Sequence, residues 1–386
     1  MALGLVYFYH YKVGDTILYH EDGALLADIA RSDFGNYLKI LVSSPATFEN
    51  WPPLQMQEPR AIILVKAVSL IHLLSFSNYW VTGLYFSFFS FLGAWFLVQQ
   101  LSSNFKGYTA AAIVAFLFLP SVVFWSSGLI KESIAMASLF FLTAIFLKVW
   151  FSERVAAFHW LIVPVAVWLL WNLKYYFAAI FFVVIATSIL FKFIYPRLSN
   201  SSNLGREFII WMGLLVIPSM LISLMHPNFY PHRFFSVVVE NNKAFTAISD
   251  QGDYVKFNDI QPHLASMLAN APWAWVTGLL RPFVWEAGNG LQFVASLENL
   301  LLLGLIFIAL SDFRSFALSP YRMLVLSLFV YVSLLSIFIA LSTPNFGTLS
   351  RYRASYIPFF FFILCCSRPV LTILQRSFNR FLPIKR

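Results

Sequence analysis

Apolar stretches of about 16 to 22 residues recur along the chain, each closed by a short turn that carries charge, and that spacing fixes the solvent in which it folds. A helix of this length crosses a hydrocarbon core of roughly 30 Å, whereas barrel strands would be shorter and would alternate in polarity. Only 11% of the residues are charged and 60% are hydrophobic, too few charges to clothe a soluble globule. In lipid every backbone N–H and C=O must be satisfied within the protein, so the stretches are helices. The expected fold is an all-α, polytopic membrane protein with about ten transmembrane helices. Interfacial helices are expected in its first outer loop.

The first apolar run, residues 1–11, is short. Clearer spans cover residues 80–101, 108–125, 133–150, 156–171, 175–190, 208–225, 291–310, 323–341 and 354–366. One integral membrane domain, 1–386, holds a first outer loop at 13–78 and a long outer loop at 226–290. Residues 61–76 are apolar but interrupted by Lys66 and His72, and read as a membrane-surface segment or half-span.

With both termini cytoplasmic, the positive-inside rule is satisfied at every turn. Lys106, Lys148, Arg154, Lys192, Arg197, Arg206, Arg314 and Arg322 fall inside, as do Arg368, Arg376, Arg380, Lys385 and Arg386. The +9 net charge therefore reads as topology, with membrane lipids and not nucleic acid as the partner. Cys365 and Cys366 are adjacent in an apolar run, where they can neither form an ordinary disulfide together nor hold a metal alone.

Chemistry is sought where cations stand in short outer turns, because that rule places few there. Lys131 sits beside Glu132, Lys174 lies in AsnLeuLysTyrTyr, and Arg351 and Arg353 lie in GlyThrLeuSerArgTyrArg. Arg281 precedes a span in LeuArgProPheValTrpGlu. Each alone is explained by snorkelling to lipid phosphates. Gathered at one membrane face, the set points to an anionic ligand, since an unpaired ion near a bilayer is costly. In the first outer loop Asp15, Glu21 and Asp22 are candidates for a general base or for ligands to a hard divalent cation.

This arrangement of a first helix, an acidic outer loop, a second acid at the outer end of a later helix and basic inner loops resembles the GT-C superfamily of membrane glycosyltransferases. Asp15 and Tyr19 match the Asp-x-x-x-Tyr part of the first-loop motif of protein mannosyltransferases and lipid A sugar transferases. Glu132 stands at the second acidic position. Thr16 follows Asp15 where the family has a second acid, and the Glu21–Asp22 pair offers one further on. The resemblance covers roughly the first 150 residues and implies an inverting transfer of sugar from a polyprenyl-phosphate donor to a glycan or lipid acceptor, at the outer face of a bacterial inner membrane. Asp15 or Asp22 would be the base; Arg351 and Arg353 would grip the phosphate, supported by Lys131, Lys174 and Arg281. Members differ in metal use, so Mg²⁺ or Mn²⁺ is compatible but not required, and no other cofactor is implied.

GlyThrLeuSerArgTyrArg followed by a helix with Pro358 also resembles Wzy- and EpsG-type polysaccharide polymerases, which join undecaprenyl-diphosphate oligosaccharides using outer arginines. A lipid or sugar transporter is a third reading, and a non-enzymatic assembly subunit, with partner subunits, a fourth. No duplicated half is visible, and the spans are nearly free of ionisable residues at mid-membrane, which disfavours an ion-coupled transporter.

Overall fold

The computed structural model describes residues 2–12, 14–198, 203–312 and 321–381. Val13, at the start of the first outer loop, and the inner-loop cations Arg314, Lys385 and Arg386 lie outside the described residues. Among those residues there is no strand, only an isolated antiparallel bridge between Tyr254 and Asn345. In chain order the α-helices are α1 (Ala2–Leu5), α2 (Asp15–Ser32), α3 (Phe34–Val42), α4 (Pro59–Ser75), α5 (Tyr79–Asn104), α6 (Thr109–Ile113), α7 (Pro120–Trp125), α8 (Lys131–Trp150) and α9 (Ala157–Leu198). They continue with α10 (Leu204–Met225), α11 (Pro231–Ala247), α12 (Leu264–Leu280), α13 (Gly290–Leu310), α14 (Arg322–Ser342), α15 (Phe346–Tyr352), α16 (Ile357–Cys365) and α17 (Arg368–Phe381).

Six of the described helices, α5, α8, α9, α10, α13 and α14, are long and apolar enough to cross a membrane, and the bent pair α16–α17 makes a seventh if it counts as one span. The departures from the span pattern of the sequence have local causes. Residues 108–125 form α6, a π-helical turn at Val114–Phe118 and α7, because Pro120 lacks an N–H and drives Leu119 out of the helical region, to φ −64° and ψ 120°. Between α16 and α17 the chain bends by 99°, where Pro369 has no N–H to continue the helical ladder. Residues 157–171 and 175–190 are helical on either side of a kink in α9, at Lys174 (φ −146°, ψ 65°). The stretch 226–290 is not only loop: it contains α11 and α12.

The chain divides into two compact units. The first comprises Met1–Leu97, Val123–Ala144 and Val155–Tyr175. Here α2 lies against α4, burying Leu26 and Ala27 with Val65 and Val68. The approach depends on Gly23, where an added Cβ would stand 2.4 Å from the Val68 side chain. Asp33 caps α3 by accepting from the Asn36 N–H at 2.9 Å, and Tyr37 from that helix meets Ser69 Oγ at 2.9 Å.

The second unit comprises Val98–Val122, Ile145–Arg154 and Tyr176–Arg386. Its α12 packs on α14 around Ala274, Val332, Leu335 and Ile339. Gly278 permits the contact, since a Cβ there would lie 2.6 Å from the Ser336 carbonyl oxygen. All nine residues of α16 are buried.

Candidate functional site

In the first unit, Asp15, Tyr19 and Asp22 follow one another on α2 at spacings of four and three, which puts them on one helix face. Asp15 opens the helix and is half-buried, Tyr19 and Asp22 are buried, and Glu21, one position off that face, is exposed. Asp22 accepts from the backbone N–H groups of Gln55 (2.9 Å) and Met56 (2.8 Å). Glu21 accepts from the Gln55 side chain at 2.8 Å. The two acids thus pin the irregular segment that leads into Glu58.

Glu58 is the residue around which the cations gather. One of its oxygens accepts from Lys131 Nζ at 2.7 Å and the other pairs with the Arg60 guanidinium. Lys131 lies 5.9 Å from the centre of the Tyr19 ring, and Arg60 lies 5.3 Å from that of Tyr175. Each cation is therefore backed by an aromatic face as well as by the carboxylate. Burial alone would push the Glu58 carboxyl up. The hydrogen bond and charge of Lys131, with the charge of Arg60, outweigh it and hold the group below its ordinary value.

Beside this fork, Glu132 pairs with Lys174 at 2.6 Å, with side chains 1% and 4% exposed. The pair joins the first turn of α8 to the break in α9, and that break is what turns the Lys174 backbone out of the helical path. Two charges so deeply buried are tolerated only because each neutralises the other. Tyr19, Lys131, Glu132 and Lys174, all singled out by sequence, thus belong to one ionic cluster with Glu58 and Arg60.

Sequence reasoning missed Glu58 and Arg60. They lie 73 and 71 positions before Lys131, at the end of the polar, amphipathic stretch that reads as an interfacial or re-entrant segment of the first outer loop. The one available signal was that Glu58 and Arg60 flank Pro59, a residue suited to the first turn of a helix, so their place at a helix start was legible though their partner was not. A second polar feature of this unit also went unread: His20 Nδ1 and His72 Nε2 lie 3.1 Å apart, with His72 Nδ1 2.7 Å from Thr82 Oγ1.

Arg281, Arg351 and Arg353 belong to the second unit. Arg281 forks onto Glu286 in both Nε and Nη2 and is flanked by the rings of Trp273 and Phe346, at 5.1 and 5.2 Å. Arg353, 3% exposed, donates to the carbonyl oxygens of Arg281 (3.0 Å) and Leu279 (2.6 Å). Its guanidinium serves the main chain where α12 ends. Arg351 is half-buried on α15. Glu298, inside the apolar α13, accepts from the N–H (2.8 Å) and hydroxyl of Ser121 and so caps the restart of the helix after Leu119.

Among the described residues no three His, Cys, Asp or Glu side chains converge in the manner of a metal site. Asp22, Glu58 and Glu132 are engaged with backbone N–H groups and cations. Cys365 and Cys366 carry free thiols.

Fold and site together define a helical, multi-pass membrane protein that holds a partly buried ionic cluster at the ends of its helices. No protein-family model, no curated protein and no solved structure matches the chain.

Proposed function

We propose that the protein is a glycosyltransferase of a bacterial inner membrane, moving a sugar from a polyprenyl-phosphate carrier to a glycan or lipid hydroxyl at the outer face. The observation that carries this reading is the Lys131–Glu58–Arg60 fork beside the buried Glu132–Lys174 pair, with Lys131 over the ring of Tyr19 on α2, the helix that Asp15 opens. Cations held at the end of an apolar helix suit a phosphate carried by a lipid. About ten spans follow if α9 crosses twice, hinged at Lys174, and if residues 1–11, the interrupted 109–125 segment and α16 each count as a crossing. Both termini are then cytoplasmic and the cluster faces outward.

In the reaction, the bond between the anomeric carbon and the phosphate oxygen breaks and its electron pair leaves with the phosphate. The acceptor oxygen forms the new bond to that carbon, and its proton passes to a carboxylate. Asp15 suits the base by its place: it is half-buried, opens α2 and stands one turn before Tyr19. Lys131 and Arg60 stabilise the charge that grows on the departing phosphate.

The test is transfer by the purified protein from radiolabelled polyprenyl-phosphate sugars. Asp15→Asn is expected to lower the rate by about 10²-fold to 10⁴-fold, the usual worth of a general base. Chain growth from diphosphate-linked oligosaccharides that survives Asp15→Asn and is lost in Arg351→Ala would replace this reading with the polymerase.

A further inference from the structure

The carboxylate that holds the cationic fork together is the most exposed of the three groups. The Glu58 side chain is 41% exposed, Arg60 36% and Lys131 11%. Its two oxygens take one cation each, the two-point geometry that phosphate oxygens also offer to Lys and Arg. Each cation has a second contact besides Glu58: Lys131 lies over the Tyr19 ring and Arg60 over the Tyr175 ring. The Glu58 backbone is anchored independently, by the hydrogen bonds of Asp22 to Gln55 and Met56 on one side and the start of α4 on the other. Only a side-chain rotation is needed to free the fork.

We propose that Glu58 is an internal stand-in for phosphate, occupying the Lys131–Arg60 fork and yielding it to the phosphate group of a lipid carrier. The proposal rests on the phosphate-binding reading given above and adds a selectivity device to it. A phosphate monoester carries about −1.5 to −2 charges at pH 7 against the single charge of a carboxylate. The fork therefore favours the departing carrier phosphate over Glu58, and Glu58 over weaker anions. Displaced, the carboxylate swings to the solvent side, where hydration replaces its ion pairs. When the carrier phosphate dissociates, the carboxylate returns to the fork.

The experiment measures binding of farnesyl phosphate, farnesol and inorganic phosphate to the detergent-purified full chain by calorimetry. Glu58→Gln is expected to bind farnesyl phosphate at least tenfold more tightly than wild type, with farnesol unchanged, and adding Lys131→Met removes the gain. An equal gain for inorganic phosphate supports the exchange and assigns the fork to the free anion as well as to the lipid headgroup. Unchanged or weaker binding of both phosphates in Glu58→Gln overturns it. Glu58→Asp, which keeps the charge but shortens the reach, should show a smaller gain in the same direction, and a loss there also overturns the proposal. The two readings separate cleanly: a binding gain without sugar transfer in any variant sinks the transferase and leaves the exchange, while transfer with no gain does the reverse.

Discussion

Both units bury arginine or lysine among carboxylates, yet the cations are used differently. In the first unit Lys131, Arg60 and Lys174 are met by side-chain carboxylates, Glu58 and Glu132. In the second, Arg353 is held by main-chain carbonyls, while Arg281 forks onto Glu286 five residues away and Arg322 onto Glu207. A cation bound to carbonyls cannot release them without unmaking the turn they belong to. A cation bound to a half-exposed carboxylate can exchange it for another anion. The partner, more than the cation, decides whether a positive charge in a membrane protein is scaffold or site.

The harshest test of that contrast is the buried pair. Glu132→Gln leaves the Lys174 charge uncompensated and should lower stability by about 3–5 kcal/mol, read as detergent thermal unfolding. Replacing both residues with glutamine should recover part of the loss, and a single variant as stable as wild type would show that the pair is not what holds the two helix ends together. Next, Arg353→Met should cost about 1–3 kcal/mol through its orphaned carbonyls. If the folded variant lost more than tenfold in farnesyl phosphate affinity, the second unit would touch ligand and the comparison would fail. Of similar or smaller size is the cost of crowding a helix contact: Gly278→Ala, whose Cβ meets the Ser336 carbonyl, should lose about 1–3 kcal/mol, measured in the same assay.

A further test concerns pH. Burial, then the charge of His20, depresses the His72 imidazole from 6.5 to about 4. His20 is lowered as well, by burial, against the opposing charge of Glu21. Arg31 and Asp28 also act on His72, in opposite senses. His72 is neutral in the fold but titrates near 6.5 when unfolded, so its contribution is complete above pH 6.5 and is lost as pH falls toward 4. The Tm of wild type should drop through that window, and that of His72→Gln should drop less. Equal slopes would show that the histidine pair carries no part of the acid sensitivity.

The membrane class and the helical content were legible in the sequence because they depend on local hydropathy, whereas the breaks at Pro120 and before α17 were not read. The break at Lys174 was legible: a cation between two apolar stretches marks the point where the α9 backbone breaks. Asp15, Tyr19 and Asp22 share a helix face by spacing alone. Which acid meets which cation was not legible. Asp22 reads as a candidate base, yet it is spent on the Gln55 and Met56 N–H groups, and Glu58 reads as an ordinary loop acid yet closes the fork on Lys131. Hydropathy and helix periodicity are summed over neighbours in the chain, so the sequence alone sets them. The Lys131–Glu58 ion pair spans 73 positions, and only the packing of α2, α4, α8 and α9 decides which charges are left close enough, and dry enough, to need each other.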